Sequence, residues 1–176
     1  MGDRDTRTNP TTAVSVLVAD VDVPDLCRTT GVDPERPLFW LPAANVLTGT
    51  GAGHARGYRW ASGNPTFSVM NTILPPNSPT CIEGSIGASA NAMPRHSTGY
   101  LPPSSRHQGG CHILMGDGAV KFITDSIEAG SSTSPPVVLG GTITVQPSNV
   151  PGSKSPYGLW GALGTRGAKE TIEEEL

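Results

Sequence analysis

Residues 105–123 read SRHQGGCHILMGDGAVKFI, and this stretch decides the fold. The pair Asp117 and Gly118 stands between two apolar runs, which is a strong short-range signal for a β-hairpin. Asp followed by Gly also supplies the positive φ that both positions of a type I′ turn need. The sequence therefore predicts a hairpin over residues 111–124, with Asp117 and Gly118 as its complete turn.

A two-residue turn fixes how the two strands pair. Met115 is expected to face Val120, and Ile113 to face Phe122. Because side chains alternate across a strand, one face of the hairpin should be apolar and point at a core. That face holds Cys111, Ile113, Met115, Val120, Phe122 and Thr124, and the mixed opposite face holds His112, Leu114, Lys121 and Ile123. A slip of one residue would expose the apolar face, so the pattern favours a single register.

The composition points to a loop-rich β protein. Glycine (22) and proline (17) are abundant among the 176 residues, while aromatic residues make up 5% and charged residues 15%. Soluble domains typically carry about 25% charged residues. We expect a mainly β fold with an antiparallel sheet and long Gly/Pro-rich loops. The length suits one domain, residues 13–170, between a flexible leader at 1–12 and an acidic tail at 171–176.

Charge and hydropathy exclude several classes of partner. The net charge is −3, and the lysines and arginines are scattered singly, which argues against nucleic-acid binding. The sequence has no apolar run of the about 18 residues that a membrane-spanning helix needs. The polar N-terminus lacks the apolar core of a signal peptide.

Outside the hairpin the local signals are weaker. Residues 14–18, 67–74 and 141–146 alternate or cluster apolar residues as strands do. Residues 124–128 (TDSIE) predict a helix start, with Thr124 or Asp125 as its N-cap. The small, polar residues 83–100 predict a long loop.

The three cysteines are too few for a disulfide scaffold and are not spaced for zinc. Cys111 lies on the apolar hairpin face and is predicted to be a buried thiol. Cys27 and Cys81 would then form the bridge if the chain is exported.

His107 and Asp117 are predicted to have structural roles, in the loop that enters the hairpin and in its turn. They should lie at opposite ends of one strand, so a direct dyad is not expected unless residues 109–110 fold back. Metal binding or catalysis is the alternative role for His107. Calcium, which takes several oxygen ligands, is the alternative for Asp117, with Asp125 and Glu128 as the nearest carboxylates.

No catalytic signature is present. The sequence lacks a Gly-x-Ser-x-Gly elbow, a phosphate loop and a dinucleotide fingerprint. Ser104, Ser105 and His107 are neighbours, but adjacency does not make a triad. We therefore expect no enzyme activity. The tryptophans, which are Trp40, Trp60 and Trp160, are expected to anchor a small core, with a sugar-stacking surface as the alternative.

Five blocks in order carry a family resemblance. They are residues 57–63 (GYRWASG), 71–81 (NTILPPNSPTC), 104–110 (SSRHQGG), 116–123 (GDGAVKFI) and 160–167 (WGALGTRG). Together they resemble a planctomycete family named for its prepilin-type His-x9-Asp-Gly motif, a domain of unknown function loosely labelled solute-binding-like. The resemblance implies motif roles for Trp60, Asn71, Pro76, Asn77, His107, Gly109, Gly110, Asp117, Gly118, Phe122, Gly164 and Arg166.

This resemblance implies a pilin-like or pseudopilin-like protein of the cell surface or of type II secretion. Such proteins begin with a leader and a long apolar helix that anchors them in the membrane, and a β-rich head faces the periplasm or the outside. The N-terminus here shows no such helix, although counting one would make the class α+β. Membrane attachment is expected only through that helix.

The function implied is a non-enzymatic, extracellular or periplasmic structural head that self-associates as a homo-oligomer or fibre subunit. No cofactor is expected, with calcium as the alternative because some pseudopilins hold it in their C-terminal loops. The alternative function is a secreted binding module for a small solute or glycan, which predicts a concave site lined by tryptophan.

Overall fold

The computed structural model describes residues 13–16, 23–42, 61, 63, 68–83, 99–137 and 152–165. These residues form five strands and two helices in chain order. The elements are β1 (Ala13–Val16), α1 (Leu26–Gly31), β2 (Thr80–Glu83), β3 (Gly99–Tyr100), β4 (Gly110–Leu114), β5 (Val120–Thr124) and α2 (Gly158–Gly164). The prediction of a mainly β fold is confirmed.

The described strands form two small sheets. In the first sheet, β2 is central, with β1 parallel on one side and β3 antiparallel on the other. The second sheet is the antiparallel hairpin of β4 and β5. The strand predicted at residues 14–18 is confirmed in part as β1, whose parallel partner lies far along the chain. Local alternation does not reveal such a pairing.

The predicted hairpin forms, but its predicted register is wrong by one residue. Leu114 pairs with Val120 and Ile113 with Lys121. The Met115 N–H donates to the Ala119 carbonyl (2.8 Å), and the Gly118 N–H donates to the Met115 carbonyl (3.0 Å). The turn therefore has three residues, and its third, Gly118, adopts a φ of 89°. This is the common three-residue alternative to the type I′ turn.

The longer turn exchanges the two faces of β5. The inward face predicted for β4 is confirmed, because Cys111 and Ile113 are buried. On β5, however, Ile123 is the buried residue, at 2% exposure, whereas Phe122 is 44% exposed. Predicting Phe122 as a core residue is therefore wrong. The reason is that Ile123, and not Phe122, packs against Cys111 and Trp160.

Two apolar clusters form the core. The first contains Val32, Trp40, Leu74, Cys81 and Tyr100, and the second contains Cys111, Ile113, Ile123 and Trp160. One hydrogen bond joins them, since the Trp160 Nε1–H donates to the Leu74 carbonyl at 2.8 Å. Trp40 and Trp160 thus act as core anchors, as expected, whereas Trp60 lies outside the described residues.

Other local predictions are wrong. Residues 68–74 do not form a strand, and the residues after β5 form a turn instead of a helix start. Helix α2 was not predicted from the sequence. Its first turn is held by the distant Glu128, whose Oε2 accepts the Leu159 N–H at 2.7 Å. The predicted leader, the strand at 141–146 and the acidic tail lie outside the described residues, and within those residues neither helix is long and apolar enough to cross a membrane.

Candidate functional site

Asn77 joins three separate segments of the chain. Its Nδ2 donates to Asp125 Oδ1 at 2.7 Å, and its Oδ1 accepts the Ser105 N–H at 2.8 Å. Its own N–H donates to the Pro103 carbonyl at 2.9 Å. The backbone of Asn77 is left-handed, with φ 60°, a conformation that Asn tolerates better than most residues. Asn77 therefore fixes the loop that carries His107 to the end of β5.

We expect Asn77→Ala to lower the free energy of unfolding by about 2–3 kcal/mol, through lost hydrogen bonds and left-handed strain. Asn77→Gly should cost less, because glycine removes the hydrogen bonds but keeps the backbone relaxed. Urea denaturation of both variants measures the difference. Equal, negligible losses would show that this junction does not contribute to stability.

The His107 side chain is exposed and belongs to a row of rings. Its backbone N–H donates to Ser105 Oγ at 3.0 Å, so that hydroxyl shapes the loop. The His107 ring lies edge-on to the His112 ring, with centroids 5.6 Å apart. The His112 ring in turn lies edge-on to the Phe122 ring at 5.0 Å. The His107 ring therefore extends the row of rings that His112 and Phe122 form on the hairpin.

We use the term outer hairpin face for His112, Leu114, Val120 and Phe122, which share the side of the hairpin directed away from the core. Leu114 is 71% exposed and Val120 is 64% exposed. The two are directly paired across the strands, as are His112 and Phe122. Within the described residues, neither outer edge of this two-stranded sheet pairs with a further strand. An apolar face on an unpaired hairpin is typical of a docking surface.

The three carboxylates considered for calcium are separate and are used by the fold. Asp117 Oδ1 accepts the Ala119 N–H at 2.9 Å inside the turn. Asp125 is bound to Asn77, and Glu128 accepts the N–H groups of Gly130 and Leu159. Among the described residues, no group of three His, Cys, Asp or Glu side chains could hold a metal ion.

The remaining described motif residues have structural contacts, which are hydrogen bonds, burial or close approach of the backbone. Asn71 bonds through its amide to the Gly99 carbonyl (2.8 Å) and accepts the Leu101 N–H (3.2 Å). Pro76 is fully buried. A side chain at Gly110 would overlap the Ile123 carbonyl, so the close approach of β4 and β5 requires glycine there. A side chain at Gly164 would meet Thr72, Gly109 precedes β4, and Arg166 lies outside the described residues.

A cleft of about 640 Å³ opens between the hairpin, the segment 70–73 and α2. Ile113, Tyr157 and Trp160 are buried residues in its lining. Met70, Leu114 and Val137, which also line it, are exposed. No local sequence pattern locates this cleft, because its walls come from segments that only the fold brings together.

Cys81 is disulfide-bonded, whereas Cys111 is a free, buried thiol. The predicted buried thiol at Cys111 is therefore confirmed. The side chain of Cys27 lies outside the described residues, and its pairing with Cys81 stays a prediction.

Burial raises the pKa of Tyr157 well above its usual range, and the nearby Tyr100 raises it further. Burial also raises the pKa of the Cys111 thiol, with a further contribution from Asp125. As the pH rises, the unfolded chain loses these protons before the folded chain does, so stability must fall.

We expect the free energy of unfolding to decline above about pH 9, where free Cys and then Tyr begin to ionise. Urea denaturation in a Cys111→Ala background isolates the contribution of Tyr157 and avoids thiol exchange. Tyr157→Phe in that background should flatten the alkaline decline. An unchanged decline would assign the effect to other groups.

The profile of one protein family matches residues 43–130, which is half of the 176-residue chain. Its description is Protein of unknown function (DUF1559), and its short name is SBP_bac_10. The chain belongs to the DUF1559 family. The matched range contains Asn77, His107, the Asp117 turn and the whole β4–β5 hairpin. No curated protein and no solved structure matches the chain.

Within this DUF1559 chain, the match ends before α2. Trp160, which completes the second core cluster, therefore comes from outside the matched range. The hairpin depends on α2 to cover its inner face.

Proposed function

We propose that this DUF1559 chain is a non-enzymatic, pilin-like head domain that self-associates outside the cytoplasm. The observation that carries the proposal is the outer hairpin face, where Leu114, Val120 and Phe122 expose apolar side chains together. Keeping such a face in water is unfavourable, and covering it with a second copy removes apolar surface from solvent. The pilin, type II secretion and planctomycete assignments rest on the resemblance of the five sequence blocks.

The disulfide supports the proposed location. Cys81 is bonded in the first core cluster. Disulfides persist in the periplasm and outside the cell, and are rare in the reducing cytosol. The periplasm or the cell surface is therefore the compartment that we propose.

The non-enzymatic character is supported by how the polar groups are used. Ser105 Oγ accepts the backbone N–H of His107, and Asp125 binds the Asn77 amide. Each group serves the local fold, and the His107 ring contacts another ring.

Sedimentation tests the proposal directly. The wild-type chain should form dimers or larger species as its concentration rises, with calcium and without it. Val120→Ser with Phe122→Ser should shift it to monomer, because both changes remove apolar side chains from the outer hairpin face. Leu38→Ser, which changes an exposed apolar residue on another loop, is the matched control and should still associate. A wild-type monomer at all concentrations would overturn the proposal.

The cleft favours a second candidate, a secreted module that binds a small solute or glycan. Its volume of about 640 Å³ falls within the roughly 300–1,000 Å³ of ligand pockets. Trp160 lines it, although at 1% exposure this ring offers no free face for stacking on a sugar. A thermal-shift screen with neutral sugars and apolar solutes tests this function.

A further inference from the structure

The cleft shares Leu114 with the outer hairpin face, and the chemistry of its walls indicates the kind of ligand it can hold. Among the described residues that line it, none carries a charged side chain. Its deeper lining includes the buried Ile113, Tyr157 and Trp160, with the half-buried Ile73, Met115 and Leu163 around them. A charged ligand placed here would lose its hydration without gaining a charged partner from these described residues, which is strongly unfavourable.

Three polar side chains along the cleft already form hydrogen bonds within the protein. The Trp160 Nε1–H donates to the Leu74 carbonyl, and the Tyr157 hydroxyl donates to the Ser134 carbonyl at 2.9 Å. The Asn71 amide is held between Gly99 and Leu101. A sugar needs several free hydrogen-bonding groups, and these three side chains have committed theirs.

The exposed residues beside the cleft also favour an uncharged, apolar ligand. Met70, Leu114 and Val137 are among the large apolar residues that the described chain leaves in contact with solvent, and all three line this cleft. Exposed apolar residues grouped beside a concave site mark a place where apolar surface is covered by a ligand.

We propose that the cleft binds an uncharged, hydrophobic small molecule. This inference rests on the solute-binding function named above and narrows it to one ligand class. It does not depend on self-association, because each of the two surfaces has residues that the other lacks. Val137 and Met70 belong to the cleft alone, and Phe122 and Val120 belong to the outer hairpin face alone.

The test uses the full chain and N-phenyl-1-naphthylamine, an uncharged dye whose fluorescence rises in apolar surroundings. We expect saturable binding at one site per chain. Met70→Asp and Val137→Asp each place a charge beside the cleft at an exposed position, and should weaken binding by about tenfold or more. Val137→Thr, which keeps the shape without the charge, should weaken it less. Phe122→Ser is the control for dye adhering to the outer hairpin face and should leave the affinity unchanged.

Maltotriose, a neutral sugar, is titrated in parallel by thermal shift, since a ligand that binds only the folded state raises Tm. Sugar binding without dye binding would overturn the hydrophobic assignment but retain the solute-binding function. Binding of neither would overturn both. Dye binding that Phe122→Ser abolishes and Val137→Asp leaves intact would place the dye on the hairpin and overturn the cleft proposal. Self-association measured by sedimentation that Val137→Asp abolishes and Phe122→Ser leaves intact would place a second copy in the cleft and overturn the proposal too.

Discussion

Trp160→Ala is expected to lower the free energy of unfolding by about 3–5 kcal/mol, the usual cost of truncating a buried tryptophan. The Trp160 side chain is 1% exposed and packs against Cys111, Ile113 and Ile123. Its Nε1 bond to the Leu74 carbonyl also joins the two core clusters. The substitution removes the ring that covers the inner face of the hairpin. Since small domains are stable by about 5–15 kcal/mol, a loss of this size approaches complete unfolding.

Trp160→Phe separates packing from hydrogen bonding. Phenylalanine keeps much of the apolar contact but leaves the Leu74 carbonyl without its donor, at a cost of about 1–3 kcal/mol. Urea denaturation followed by far-UV circular dichroism measures both variants without relying on the deleted tryptophan. Leu114→Ala on the outer hairpin face is the control and should change stability little. Equal losses for Trp160→Ala and Leu114→Ala would contradict this account of the core.

Loss of the Cys81 disulfide is expected to cost about 2–5 kcal/mol, the usual range for a native bridge. If Cys27 is the partner, the closed loop has roughly 55 residues, and the loop-entropy estimate is about 4 kcal/mol. Cys81 also sits in the first core cluster, so Cys81→Ala adds a small packing loss to the entropic effect. Reduction of the wild-type chain should reproduce most of the destabilisation of Cys81→Ala.

Thiol counting checks the pairing. The unfolded, unreduced chain should show one reactive thiol, Cys111, and the reduced chain should show all three cysteines. Cys27→Ala should expose a second thiol at Cys81. Three reactive thiols before reduction would show that no bridge forms, and the predicted stabilisation would then be absent.

The hairpin and α2 show which structural features local sequence signals can predict and which they cannot. The hairpin and the inward face of β4 followed from an Asp-Gly turn signal and from alternation, both of which are properties of neighbouring residues. The register did not follow, because Gly118 can serve as the left-handed third residue of a three-residue turn as readily as the second residue of a two-residue turn. Helix α2 was not predicted, because the carboxylate that binds its first turn, Glu128, comes from a distant segment.

The candidate site residues also divide into those whose positions local sequence signals predicted and those whose positions they did not. The sequence predicts structural roles for His107 and Asp117, and the resemblance implies a motif role for Asn77. In the structure, the His107 N–H and the side chains of Asp117 and Asn77 form hydrogen bonds in loops and turns. The sequence placed Phe122 in the core, where the structure exposes it. No local pattern marked Met70 and Val137 as neighbours of one cleft.

Composition and alternation, which act over neighbouring residues, were enough to predict a mainly β chain, a hairpin at 111–124 and a buried Cys111. Three features follow only from tertiary contacts: which face of β5 is buried, how Asn77 connects three segments and where the cleft opens. Each of these depends on contacts between residues distant in sequence. Ile123 turns inward because Trp160 is there to cover it, and Phe122 and Val120 are left outside.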